Sequence, residues 1–312
     1  MMNHALAAET LSDAAAVLPH ICVCICTYKR PALLRTLLQG LVRQDTDNLF
    51  TYSVVIVDND SAESAKALSS DFTALLHVRY VVQPLQSIPL TRNKAVSSSA
   101  GDYIAFIDDD EFPTPRWLLT LFTTCEKYSV DGVLGPVKPH FDERPPEWVI
   151  RGKFYDRPSY PTGLVIDGRK GRTGNVLLKR SIFDGVEQPF RPEFRTGEDQ
   201  EFFRRMIEKG YVFIWCHEAM AFETVSPNRW NRRFMLRRAL HRGATAVLHP
   251  TFKARDVAKS LIAVPGYVVV LPFALLCGQG RFMRYLVSLC DHLGKLLAVL
   301  RITPIRDQYV TE

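Results

Sequence analysis

Glycine is scarce where a phosphate-binding loop would need it: the first hundred residues of this 312-residue chain contain one, Gly40. A dinucleotide fold of the Gly-x-Gly-x-x-Gly type needs several glycines in its first turn, and a P-loop needs Gly-Lys-Ser/Thr; neither occurs. A phosphate held by this half of the chain is therefore not cradled by a glycine loop. The seven cysteines are odd in number and form no Cys-x-x-Cys pair, which fits a reducing compartment. Cys22, Cys24 and Cys26 alternate within an apolar run, so they read as small hydrophobes on one face of a buried strand. Residues 1–18 have neither the basic start nor the sustained apolar core of a signal peptide and read as a loose lead-in. No internal repeat and no low-complexity linker is present. Acids are missing altogether from Ser226 to Arg255, where eight Lys or Arg fall.

What is present is a globular composition, 47% apolar and 11% aromatic, with a modest net charge of +6. From His20 to about Val137 strands and helices alternate. Strands are expected at Ile21–Cys26, Val54–Val57, Val78–Val82 and Tyr103–Ile107. A helix starts at Pro31 with leucines at helical spacing, Ser61 caps a second, Ser87 and Pro89 open a third, and Thr114-Pro115 opens a fourth. Such alternation predicts an α/β fold with a mostly parallel sheet flanked by helices. Further on, a strand is expected at Asn175–Leu178, a helix at Asp199–Glu208, a strand at Val212–Trp215 and a basic helix from Asn228 to about Leu248.

The first four strands each end in polar residues: Thr27-Tyr28-Lys29-Arg30, Asp58-Asn59-Asp60, Gln83, and Asp108-Asp109-Asp110-Glu111. In an open parallel sheet the carboxyl ends of the strands line the ligand crevice, so these groups converge. Two carboxylates about 7 Å apart at an effective dielectric near 20 repel by roughly 2–3 kcal/mol. Water or a positive group must offset that. Asp108 and Asp110, two residues apart, can face the same way and offer hard oxygen ligands to Mg²⁺ or Mn²⁺. A solvated acidic turn is the plainer alternative. Basic side chains such as Arg92 would neutralise the phosphates such a metal holds.

The pieces Cys26-Thr-Tyr-Lys-Arg-Pro31, Val57-Asp-Asn-Asp-Ser61, Thr91-Arg-Asn93, Phe106-Ile-Asp-Asp-Asp110, Thr173-Gly-Asn175 and Gly197-Glu-Asp199 occur together in an order that resembles the inverting glycosyltransferases of family 2, with the GT-A nucleotide-diphospho-sugar transferase fold. The likeness spans roughly residues 20–245. Leu134-Gly-Pro-Val137, Pro145-Pro-Glu-Trp148 and the basic stretch ending Arg242-Gly243 narrow it to the ExoM-like succinoglycan and exopolysaccharide glucosyltransferases. The resemblance implies a lead-in at 1–19, a GT-A unit at 20–248 and a tail at 249–312. Within the GT-A unit, 20–137 would bind the nucleotide and 138–248 the acceptor. It assigns Thr27 and Arg30 to the uridine end of a UDP-sugar, Asp58 to the base, and Arg92, Asp108 and Asp109 to the nucleotide or its phosphates. Asp110, with Asp108, would hold the metal, and Arg229 would touch the diphosphate. Asp199 matches the catalytic base, at a helix start whose positive end favours carboxylates; simple helix capping is the alternative. Glu198 and Trp148 are acceptor candidates, Trp148 as a stacking platform for a sugar or else as core packing. His140 reads as packing. Relatives often carry His where this chain has Phe222.

The eight cations of 226–255 suit an anionic surface, either lipid or a polyprenyl-pyrophosphate-linked oligosaccharide acceptor. No nucleic-acid motif accompanies them. Ser260–Cys277 is apolar but interrupted by Pro265, Gly266 and Pro272, which predicts an interfacial or re-entrant path. Phe282–Leu300 is amphipathic. The alternative is a helical pair packed on the core. Positive charge beside the tail would keep the catalytic part at the cytoplasmic face of a bacterial inner membrane. A nucleotidyltransferase is the rival enzyme class, although its Gly-rich first loop is missing; a non-catalytic sugar-binding scaffold is the rival without chemistry.

Overall fold

The computed structural model describes residues 17–194, 196–249 and 251–302; most of the expected lead-in lies outside them. The chain opens with β1 (His20–Thr27), α1 (Pro31–Val42), β2 (Thr51–Asp58), α2 (Lys66–Asp71), β3 (Val78–Val82), α3 (Ile88–Ser98) and β4 (Tyr103–Ile107). Strands β1 to β3 pair in parallel, and β4 joins β1 on its other edge, also in parallel. The order β3-β2-β1-β4 therefore reverses direction between β1 and β4. At such a switch point the loops diverge to opposite sides and leave a crevice beyond the strand ends. Thr27 and the acidic run that follows Ile107 both sit there.

Three expectations about element starts meet the structure differently. Pro31 does begin α1. Ser87 does cap α3, accepting from the Leu90 N–H, with Pro89 in the first turn. Ser61 caps nothing, because α2 starts only at Lys66. The Asp58 carboxylate captures the backbone N–H groups of Asp60 and Ala65 at 2.9 and 2.8 Å, so the chain makes a turn before it can coil.

The second half adds β5 (Glu111–Pro113), α4 (Trp117–Tyr128), β6 (Gly132–Leu134), β7 (Val137–His140), α5 (Glu147–Gly152), β8 (Asn175–Lys179), α6 (Glu198–Glu208), β9 (Phe213–Trp215) and β10 (Ala221–Thr224). Strand β8 runs antiparallel between β4 and β6, and β9 closes the seven-stranded sheet. A three-stranded sheet, β5-β10-β7, stands beside the acidic strand tip. Apolar side chains fill both faces of the large sheet. One face packs Val23, Ile25, Leu34, Leu38 and Trp117. The other packs Cys22, Cys24, Phe106, Phe190 and Phe202, so Cys22 and Cys24 are the small buried hydrophobes expected of them.

The chain ends in α7 (Arg232–Ala246), α8 (Ala254–Leu276) and α9 (Gln279–Val299). Helix α9 lies along α7, tied by Arg242 to Asp291 at 2.7 Å, and reaches α5 through Arg284, which donates to the Gly152 carbonyl at 2.9 Å. Pro265 and Pro272 do not break α8, which runs through both. Two turns apart, both prolines face outward on one side, so the lost backbone bonds fall on that side alone. Among the described residues α8 is the one helix long and apolar enough to cross a membrane by length and composition. Leu261, Ile262, Val269, Phe273 and Leu276 on it are each more than half exposed.

Candidate active site

Beyond the ends of β1 and β4 lies an open cavity of ≈ 370 Å³, lined by Thr27, Arg30, Arg92, Asp108, Asp110 and Arg229 among others. The adjacent acids tolerate one another because each carboxylate faces an arginine. Asp109 accepts from the Thr27 hydroxyl at 2.8 Å and from Arg30 at 2.9 Å. Asp110 lies 3.2 Å from Arg229 and 3.4 Å from Arg30. Asp108 lies 3.6 Å from Arg92. On the small sheet Glu111 and Glu223 stand directly opposite each other, a pairing that like charges disfavour. Arg157 offsets it, hydrogen-bonded to Glu223 and 3.6 Å from Glu111.

These arginines do not fully compensate the acids. Burial pushes the Asp110 carboxyl up to about 7, helped by the charges of Asp109, Glu223 and Asp108, against the pull of Arg229. Glu111 is fully buried with neither carboxylate oxygen hydrogen-bonded, and burial raises it well above the ordinary range. Asp108 keeps 43% of its side chain exposed. Two neighbouring carboxylates, Asp108 open to the cavity and Asp110 with its lone charge disfavoured by burial, suit a dication. Among the described residues no group of three or more His, Cys, Asp or Glu is spaced to hold a metal unaided. Asp108 and Asp110 therefore fit as two protein ligands of an ion such as Mg²⁺ or Mn²⁺, which usually completes its shell with water and phosphate oxygens. Cys26, also in the wall, is pushed up to about 12 by burial and stays a thiol.

Asp199 and Glu198 begin α6 after Gly197, whose φ of +76° is a left-handed conformation suited to glycine. The buried Glu198 is hydrogen-bonded to Arg92, so it is committed to that pair and is not presented to an acceptor. Arg92 thereby links Asp108 at the tip of β4 to the start of α6, with its guanidinium 5.9 Å from the Phe190 ring centre. Asp199 is half-buried beside this link. The Thr173-Gly-Asn175 piece is structural. Asn175 accepts from the Trp117 indole at 2.7 Å and donates to the carbonyls of Pro136 and Ala219. A Cβ on Gly174 would meet the Glu111 and Asp108 carboxylates at 2.9 and 3.0 Å.

Two expected site residues are placed elsewhere. Asp58 is fully buried and spent: besides the two backbone N–H groups it accepts from the Tyr80 hydroxyl at 2.9 Å. Its neighbour Asn59 lines the cavity instead. Trp148 is no exposed platform. It is 9% exposed, packed with Val149, Met235 and Met283, and Arg232 lies over its ring at 5.4 Å. Trp148→Ala is expected to destabilise the fold by about 3–5 kcal/mol in urea melts while leaving nucleotide affinity unchanged. A loss of acceptor affinity with no loss of stability would return Trp148 to the acceptor site. Phe222 stacks on Phe112 at 5.4 Å. Arg157 and Arg238, which sequence reasoning missed as site residues, also line the cavity. Arg157 lies in an irregular loop with no spacing signal, whereas Arg238 was visible only as one of many cations in a basic helix.

The family model for glycosyl transferase family 2 matches residues 22–185. The succinoglycan biosynthesis protein ExoM of Rhizobium meliloti (strain 1021) is 32% identical over 231 residues, covering 72% of this chain and 74% of ExoM. The mannosyltransferase PcManGT of Pyrobaculum calidifontis, solved with GDP-Man and Mn²⁺, superposes with a TM-score of 0.56 at 16% identity, over 90% of this chain and 88% of that one. S. aureus TarS with UDP-GlcNAc gives 0.51 at 17% identity, over 76% and 70%. The chain belongs to glycosyl transferase family 2 and has the GT-A fold. It is a glycosyltransferase, and the nucleotidyltransferase alternative falls away.

Proposed function

We propose that the protein transfers a sugar, glucose in the first instance, from a UDP-sugar to a hydroxyl of a lipid-linked oligosaccharide, with inversion, during exopolysaccharide assembly. The observation that carries this reading is the cavity at the β1/β4 switch point, where Asp108 and Asp110 face Arg30, Arg92 and Arg229 and α6 starts beside Arg92. Its likeness to ExoM supports the exopolysaccharide setting, and the UDP-GlcNAc complex of TarS is consistent with a uridine donor.

On this reading Asp199 removes the proton from the acceptor hydroxyl as that oxygen attacks C1 of the sugar. The bond from C1 to the diphosphate oxygen breaks on the opposite face, and UDP leaves with the electron pair. An α-linked donor gives a β-linked product. On the same reading Arg92 and Arg229 would surround the diphosphate, and Asp109, held by Thr27 and Arg30, would face the nucleotide. A divalent ion held by Asp108 and Asp110 would supply charge stabilisation for the departing diphosphate. The exposed apolar face of α8 and the cations of α7 support attachment to an anionic membrane, the catalytic part on the cytoplasmic side.

A panel of nucleotide-sugars, each assayed for hydrolysis with and without EDTA, tests this reading. UDP-glucose is expected to turn over fastest, and chelation to cost at least tenfold. Metal affinity, read by titration against UDP-loaded protein, is expected to rise from pH 6 to pH 8, since the ion needs the ionised form of Asp110, a group near 7. The metal-free fold should change oppositely. Its raised Asp110 favours the proton, a contribution complete below the ordinary carboxylate range and lost as pH climbs through about 7. EDTA-insensitive turnover of the best donor would remove the carboxylates from metal binding.

A further inference from the structure

A second, smaller recess of ≈ 50 Å³ lies behind Gly174. Its walls include Arg157, Arg169, Lys170 and Arg172 with Tyr160 and Trp215, and no carboxylate is among its lining residues. Arg157 is shared with the main cavity. Gly174 is shared with the acid cluster, against which a Cβ would press. The recess therefore adjoins the acid cluster through Gly174 and Arg157.

The loop that carries Arg169, Lys170 and Arg172 is fixed by its backbone. Ile166 N–H donates to the Phe213 carbonyl at 3.0 Å and Trp215 N–H to the Leu164 carbonyl at 2.9 Å, which lays the loop along β9. Gly171 sits flush on Phe203 of α6, where a Cβ would be 2.3 Å from the ring. Lys170 pairs with Asp167 and lies 5.6 Å from the Tyr160 ring centre, and that ring meets Trp215 edge-on at 5.2 Å. The side chains of Arg169 and Arg172 have no ion pair or hydrogen bond among the described residues. Trp215 is 5% exposed, and its indole N–H has no acceptor. A buried donor without a partner is costly to keep.

Resting on the glycosyl-transfer reading above, we infer that this recess is a subsite for an anionic group carried by the acceptor, a carboxylate or a phosphate. Its volume of ≈ 50 Å³ suits one compact group. Arginine guanidinium forks suit both anions. A charged substituent seated there would anchor the acceptor saccharide next to the acidic strand tip and favour acidic acceptors over neutral ones.

Calorimetric titration of the full chain, saturated with UDP and Mg²⁺ so that the main cavity is filled, tests the inference. The probes are methyl glucuronide, inorganic pyrophosphate and, as the neutral control, methyl glucoside. At least one anion is expected to bind tenfold or more tightly than the glucoside. Preference for glucuronide identifies an acidic sugar as the source, and preference for pyrophosphate identifies the lipid carrier's phosphates. The double variant Arg169→Ala/Arg172→Ala is expected to weaken that anion at least tenfold, with UDP affinity and melting temperature unchanged. Equal binding of charged and neutral probes, or wild-type anion affinity in the double variant, overturns the subsite. Loss of UDP binding and turnover by the wild-type chain would instead overturn the glycosyl-transfer reading.

Discussion

Asp199→Asn is expected to lower the turnover of sugar transfer by about 10²–10⁴-fold, the usual contribution of a positioned general base, with little change in UDP affinity. The amide keeps the shape of the side chain and its place in the first turn of α6. What it loses is the capacity to accept a proton. Asp199 is half-buried and, among the described residues, its carboxylate accepts only from the adjoining Gln200 N–H at 2.7 Å, so the fold should lose little. Glu198 cannot take over, because it is buried against Arg92. Single-turnover kinetics with the best donor and acceptor would read the effect. Undiminished transfer by the variant would leave Asp199 a helix-start carboxylate and nothing more.

The first half of the fold was legible because its signals are local. Each strand is a short apolar run ended by polar residues, and Pro31, Ser87 and Pro89 mark helix starts within one turn. The small sheet was not. Strands β5, β7 and β10 are three or four residues long, and their pairing brings together Glu111, Val137 and Ala221 from distant parts of the chain. No periodicity survives in so few residues. The acid cluster itself was visible as a run of carboxylates, but its solution was not. Arg30 and Arg92 follow strand-end motifs, whereas Arg157 reaches the cluster from a loop and Arg229 from beyond β10.

Asp58 and Trp148 show where sequence reading misleads. A carboxylate at a strand end looks the same whether it faces a ligand or, as Asp58 does, fastens its own following turn. A tryptophan in a Pro-rich stretch looks equally like a sugar platform or a packing residue. The decision is made by α7 and α9, whose Met235 and Met283 cover Trp148. In α8, too, tertiary context decides: prolines that would end many helices are accommodated on one outward face.

The largest expected loss of stability at the site comes from Arg92→Ala. Arg92 is nearly buried at 11% side-chain exposure and Glu198 at 7%. Burial opposes the charge on Arg92, but Glu198 and Asp108 more than restore it, so its pKa lies above the ordinary value. Removing the guanidinium leaves Glu198 as a lone buried charge, which typically costs about 3–5 kcal/mol. It also frees Asp108 from its nearest cation and unties the tip of β4 from the start of α6, so transfer should fall sharply. The double variant Arg92→Ala/Glu198→Gln separates these effects. Without an unpaired carboxylate it should recover most of the lost stability in urea melts. On the proposed function it should recover little of the activity, because the diphosphate would still lack its arginine and Asp199 the link between α6 and the tip of β4. Recovery of turnover together with stability would show that Arg92 serves only to neutralise Glu198.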